Sequence, residues 1–283
     1  IPTREEMQEI EASSRLYRED DALYMTAPVV IHADTASPET TAVTFILSRA
    51  CAVTVRYATP QPFITFSVRA TRQRGLALSA DAVLAGLLEA VIDRLADVLE
   101  RIGGDLDSIS HEVFETSVVA QVAKAGRQGR GAGPDYQVIL RNIGRNGNLA
   151  SKTRESILGI GRILIFMSQA GDTLLRKDCK HRFKTMDRDI RSLTEHVAFL
   201  SGKINFLLDA TLGMINIQQN NIIKIFSVMA VVFLPPTLIA SIYGMNFQFQ
   251  PELHWELGYP YALLLMVLSA VLPYFYFKQR GWL

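Results

Sequence analysis

The sequence predicts an α+β domain, a small sheet packed with long helices, that continues through one long stalk helix into a two-helix transmembrane hairpin. Three observations lead there. Residues 225–251 and 257–277 carry no formal charge, and each stretch is long enough to match the roughly 20 residues a bilayer-crossing helix needs. All but four of the Asp, Glu, Lys and Arg residues precede Ile225, so a charged body is followed by a tail that water would reject. Upstream, a Val-, Thr- and Ile-rich region gives way near residue 79 to apolar residues recurring three and four apart.

Average composition hides this layout. The chain has 283 residues, net charge +1, 20% charged and 49% hydrophobic residues, values that suit a soluble protein of one or two domains. Cys51 and Cys179 make no disulfide framework and fit a reducing compartment. The chain opens at Ile1 without a methionine and is expected to be part of a longer product; no signal peptide is visible. There is no nucleophile elbow, metalloprotease helix or dinucleotide fingerprint, so an enzyme is not expected, nor is a nucleic-acid partner.

Taken in order, residues 23–31, 41–47 and 51–57 read as strands, three or four in all, separated by turn formers. Residues 60–74 fit a helix start better than a central strand because of Pro60 and Pro62, and Gly75 ends the segment. Ser79 is a plausible N-cap for a long amphipathic helix through Leu84, Leu88, Val91, Leu95, Leu99, Ile102, Leu106, Ile109 and Val113, loosened at Gly103-Gly104. Residues 126–134, with four glycines, one proline and two arginines, read as a solvated turn. A second helix over residues 136–175 completes a hairpin. A third starts near Thr185, with Ile190, Leu193, Val197, Leu200, Ile204 and Leu207 in a heptad-like seam that offers copies a way to associate. No proline interrupts it before Pro235, so a helix to Tyr243 would be about 90 Å long. Asp178, Cys179 and His181 match no common zinc spacing and read as structural.

The expected divisions are residues 1–75 for the N-terminal α/β part, 76–184 for the helical hairpin and 185–221 for the stalk. Residues 222–243 and 259–277 are the two spans, 244–258 the outer loop and 278–283 a basic tail. Lys203 and Lys224 precede the first span and Lys278 and Arg280 follow the second, whereas residues 248–258 hold no Lys or Arg; the positive-inside rule puts both ends in the cytoplasm. Aromatic residues, among them Phe247, Trp255, Tyr259, Tyr274 and Trp282, mark the interfaces.

Along the third helix Asp209, Gly213, Asn216, Asn220, Ser227, Ala230, Leu234, Thr237 and Ser241 form a stripe of mostly small and polar residues leading towards Asn246. Such a stripe serves close helix packing or a water-filled path. Two spans cannot enclose a path alone, so the second reading requires several copies with the first span inside. Pro235 and Pro236 leave carbonyls around Val231 and Val232 without helical partners, either to bind water or to mark a kink. Neutral amide oxygens in a ring, approached past Glu252 and Glu256, suit a cation that keeps its water shell, and Mg²⁺ sheds water reluctantly. At about 10 Å in water each carboxylate attracts a divalent ion by under roughly 1 kcal/mol, enough to concentrate cations but not to fix them. Ile223, Phe226 and Leu234 would form constrictions that close by dewetting.

Gly244-Met245-Asn246 closing the first span, the Phe-Leu-Pro-Pro-Thr run from Phe233, Pro251-Glu252-Leu253, Gly258-Tyr259-Pro260 and the closing residues 278–283 together resemble the CorA magnesium/cobalt transporters. The last 80 or so residues carry the resemblance throughout; the soluble half shares only the layout. The resemblance implies a funnel-shaped homopentamer in the bacterial cytoplasmic (inner) membrane and passive influx of Mg²⁺, Co²⁺ and sometimes Ni²⁺. It also implies a selectivity motif at Gly244, Met245 and Asn246, and a polar lining at Asn220 and Thr237. The hydrophobic gate falls on Ile223, Phe226 and Leu234, and regulatory Mg²⁺ would sit at Asp189, with Asp187 and Asp209 as weaker matches. Gln250 stands where a Met usually precedes Pro-Glu-Leu, and Ser241 where a Gly is common. Two rivals remain: a zinc transporter of the ZntB type within the same superfamily, and a membrane-anchored coiled-coil scaffold that conducts nothing.

Overall fold

The computed structural model describes residues 2–9, 11–72, 79–125, 135–170, 174–245 and 255–280. Contacts divide the chain into two units, Ile1–Thr211 and Leu212–Leu283.

The first unit is built on a four-stranded antiparallel meander in the order β1-β2-β3-β4. A helical turn α1 (Ala12–Arg15) leads into β1 (Leu16–Glu19), followed by β2 (Ala22–Ile31), β3 (Glu39–Leu47) and β4 (Ala52–Arg56). The sequence expectation placed its first strand at residues 23–31 and lacked β1. Asp20 and Asp21 connect β1 to β2 with φ of 46° and 60°, the two left-handed residues a two-residue hairpin demands, and the Arg18–Asp21 ion pair at 2.8 Å braces the turn. At the sheet centre Thr26 faces Thr44, and their hydroxyls bond at 2.8 Å, so a polar pair is buried without loss.

Helix α2 (Gln61–Arg72) starts just after Pro60, as its prolines predicted; Gly75 and residues 126–134 lie outside the described residues. Helix α3 (Ala80–Ala125) buries all nine apolar positions read from its periodicity and runs through Gly103-Gly104 without a break. Helix α4 (Tyr136–Ala170) stops short of the expected residue 175 and lies close on β2: a Cβ at Gly159 would meet Pro28 Cδ at 2.7 Å. That approach is why a glycine sits there.

Helix α5 (Lys177–Tyr243) begins eight residues before Thr185, where the sequence reading started it. The cause is tertiary. Asp81, at the start of α3 and buried, accepts the Arg176 backbone N–H at 3.0 Å and so caps α5 from 95 residues away. It also takes the Ala82 N–H at 3.0 Å and hydrogen bonds from Ser79 and the Cys179 thiol. Burial alone would raise its pKa; these bonds and the Arg176 charge outweigh burial and hold the carboxyl well below the usual range. Burial and the same carboxylate push the Cys179 thiol up to about 11. Ser79 therefore serves its helix through Asp81, while its own carbonyl accepts the Val83 N–H at 3.0 Å.

The seam of α5 is a correction to the sequence reading. Ile190, Val197, Leu200, Ile204 and Leu207 are buried within their own chain, with only Leu193 half-buried. Ile190 Cγ2 lies 3.1 Å from the position of a Cβ on Gly161, Leu200 reaches Gly103, Ile204 reaches Gly147, and Phe206 stacks on Phe114. Arg182 grips Glu89 of α3 through two bonds, at 2.8 and 2.6 Å. The seam is thus consumed by α3 and α4 and is not free to join copies.

The second unit holds the C-terminal part of α5 and helix α6 (Gly258–Gln279). Both are long and apolar enough to cross a membrane, and only 6% of each most apolar window is buried, which separates them from the core helices of a soluble protein.

Candidate functional site

The region from Asn220 to Met245 is where the sequence concentrated its site residues, and α5 is helical through Pro235 and Pro236 to Tyr243. At 3.6 residues per turn, Asn220, Ile223, Phe226, Ser227, Ala230, Leu234, Thr237 and Ser241 fall within an arc of about 120°. Apart from Val228, Val232, Pro235, Pro236, Ile239 and Tyr243, most of this part of α5 is exposed. Those six shielded residues define an arc of about 100° on nearly the opposite side of the helix from the polar stripe. The stripe is therefore not what packs within the unit. On α6 the shielded positions, Gly258, Ala262, Leu265, Met266, Ser269, Ala270, Pro273 and Phe277, include four small residues of the kind that let membrane helices approach closely.

The stripe alternates greasy and polar steps. Ile223, Phe226 and Leu234 are 60%, 64% and 65% exposed, large apolar groups left mostly uncovered among the described residues. Thr237 donates its hydroxyl proton to the Phe233 carbonyl at 2.7 Å, leaving only oxygen lone pairs to face outwards. Ser241 is exposed on the same face. At the end of α5 the Gly244 N–H bonds Ala240 O at 2.9 Å and Met245 N–H bonds Ile242 O at 3.3 Å. A Cβ on Gly244 would stand 3.0 Å from Ala240 O, so a side chain there would press on the closing turn. Met245 and Glu256 are exposed, and Trp255 packs on Tyr261 with ring centroids 5.6 Å apart. Asn246 and Glu252 lie outside the described residues.

The three aspartates named for cation regulation differ. Asp187 is spent on Arg191, at 2.9 Å, in a cleft that also carries Lys180 and Lys184. Asp209 is exposed. Asp189 is exposed too, and it acts on a residue the sequence reading missed, Asp93 of α3. Burial raises the Asp93 pKa, Arg69 opposes, and the charges of Glu89, Asp97 and Asp189 raise it further. Acids this far apart in sequence give no local signal of meeting. Among the described residues no three His, Cys, Asp or Glu side chains converge closely enough to hold a bare metal ion.

Comparison with known proteins gives these features a context. The family model described as CorA-like Mg²⁺ transporter protein matches residues 1–279. The magnesium transport protein CorA of Pectobacterium atrosepticum is 36% identical over 283 residues, covering all of this chain and 84% of the relative. Among solved structures, the complete CorA magnesium transporter from Methanocaldococcus jannaschii superposes with a TM-score of 0.74 at 16% identity, over 95% of this chain and 80% of that one. The ZntB cytoplasmic domain from Vibrio parahaemolyticus gives 0.55 at 12% identity, over 72% of this chain and 75% of that one, a likeness of fold alone. With a match that runs from the sheet through both membrane helices, the chain belongs to the CorA-like Mg²⁺ transporter family.

Proposed function

We propose that the chain is one subunit of a homopentameric channel for Mg²⁺ influx across the bacterial cytoplasmic membrane, also passing Co²⁺ and Ni²⁺. The observation that carries this reading is the opposition of the two faces of α5: one side is shielded by its own unit, and the polar stripe on the other side is left for copies of itself and water. Five such stripes around an axis would line a path, with α6 towards lipid.

In this reading Asn246, with Gly244 and Met245, holds a hydrated cation at the outer mouth by its shell of water, because Mg²⁺ dehydrates reluctantly. Glu252 and Glu256 concentrate cations there. Asn220, Thr237 and Ser241 offer acceptor oxygens along the path, and Ile223, Phe226 and Leu234 form the apolar gate. Residues 185–221 serve as the stalk, 222–243 and 259–277 as the spans, 244–258 as the outer loop and 1–75 with 76–184 as the cytoplasmic body, with both termini and the 278–283 tail inside. Cytoplasmic Mg²⁺ closes the pore by neutralising acids at subunit boundaries, Asp189 with Asp93 foremost and Asp187 and Asp209 less so; repulsion among the carboxylates near Asp93 supports this, since a cation relieves it.

The test is ion uptake by the full chain in liposomes. Mg²⁺ should enter down its gradient, and Asn246→Ala should cut uptake at least tenfold. Uptake that prefers Zn²⁺ over Mg²⁺ would support the zinc-transporter reading instead, and no uptake at all the scaffold.

A further inference from the structure

Beyond Thr211, helix α5 leaves the cover of its own chain. Thr211 and Val228 are buried, but none of the residues 212–227 between them is. The stretch is about 24 Å long and belongs wholly to the second unit. Its side chains are not arranged for water. Leu212, Ile215, Gln219, Ile222 and Phe226 follow one another at spacings of three, four, three and four, the repeat of a coiled-coil seam. Leu212 and Ile222 are 45% and 47% exposed, Phe226 is more so, and Ile215 is half-buried. The five fall within an arc of about 80° that adjoins the polar stripe and shares Phe226 with it. The seam at residues 190–207 is filled by α3 and α4, whereas this one is left open among the described residues.

Three observations name its occupant. No Asp, Glu, Lys or Arg lies between Asp209 and Lys224, so the seam offers a charged partner nothing to pair with. Its one polar member, Gln219, makes no side-chain hydrogen bond among the described residues, and an amide carries both donor and acceptor, so its best match is another amide. Copies of one chain anchored by the same two membrane helices stand at equal depth and in the same direction, which brings Gln219 level with Gln219.

We propose that copies of the chain join through this seam, with Leu212, Ile215, Ile222 and Phe226 packed in successive layers and the Gln219 amides hydrogen-bonded from copy to copy as the layer that fixes register and copy number. Resting on the channel reading above, the seam supplies the contact that holds the stripes round one axis. An amide layer is less stabilising than leucine, because its hydrogen bonds only replace those made to water. It contributes specificity instead, since a slip of register or a change in copy number leaves amides unpaired against hydrocarbon.

The experiment is native mass spectrometry of the full chain in detergent, beside Mg²⁺ uptake in liposomes. The wild type should show one oligomer size. Gln219→Leu, which removes the amides and keeps the layer filled, should raise the share of other sizes at least tenfold, while Gln219→Asn should retain one size. On a Cys51→Ser background, needed because Cys51 is exposed, Ile222→Cys should form disulfide-linked dimers under copper phenanthroline at least tenfold faster than Asn221→Cys, which lies about 140° round the helix from the centre of the seam. All four substituted side chains are exposed, so far-UV circular dichroism should be unchanged. A single size for Gln219→Leu, equal scatter in Gln219→Asn and Gln219→Leu, or equal cross-linking at positions 221 and 222 would each overturn the seam. The channel reading survives any of these if the wild type still forms an oligomer and takes up Mg²⁺; a monomeric wild type sinks both.

Discussion

One helix, α5, passes through two opposite situations. In the first unit its apolar residues Val197, Leu200 and Leu207 are fully covered by neighbours from their own chain. In the second unit residues just as apolar, Ile223, Phe226 and Leu234, are mostly uncovered. Hydrophobicity alone does not distinguish them; what differs is whether the single chain supplies a partner. The first stretch is a finished protein core, and the second leaves a large apolar surface of the kind that does not stay in water.

The contrast can be attacked directly. Leu200→Ala should destabilise the folded first unit by about 3 kcal/mol, the cost of emptying a covered leucine site, whereas Leu234→Ala should leave unfolding of that unit unchanged and alter ion flux instead. Chemical denaturation of the full chain in detergent, followed by near-ultraviolet circular dichroism, reads the first effect and liposome uptake the second. Equal destabilisation by both would erase the distinction.

Asp81→Asn should cost about 2–3 kcal/mol, since a buried carboxylate loses its charge while Arg176 stays beside it. The sign with pH follows from its depressed pKa: the stabilisation is fully present above the unfolded value near 4 and is lost as pH falls below it, and the Asn variant should show a flatter acid limb. Gly159→Ala should cost about 1–3 kcal/mol, because the new methyl meets the rigid Pro28 ring of β2. Smallest of all, Ser156→Ala should be neutral or stabilising by up to about 1 kcal/mol, as its buried hydroxyl has no hydrogen-bond partner among the described residues. Melting temperatures of the three variants in one detergent would order them.

Periodicity made the α3 core legible position by position, and the two charge-free stretches made the membrane helices legible, which average composition had hidden. Strand β1 escaped because its turn uses Asp20-Asp21, where glycine or asparagine is the usual sign of left-handed backbone. The start of α5 escaped because its cap, Asp81, lies elsewhere in the chain. The seam was found but its partner was not: a heptad pattern says that a face is covered, never by what. For the site, the stripe on α5 could be traced residue by residue, whereas Asp93 entered only once α3 and α5 were side by side.

Thr237 commits its only proton to the Phe233 carbonyl, and between Lys224 and Tyr243 the helix bears nothing that gains or loses a proton. Were this face to wall a conduit, the span itself would offer a cation fixed dipoles rather than titrating groups, so any change of ion preference on acidification would have to arise at Glu252 and Glu256 beyond its end.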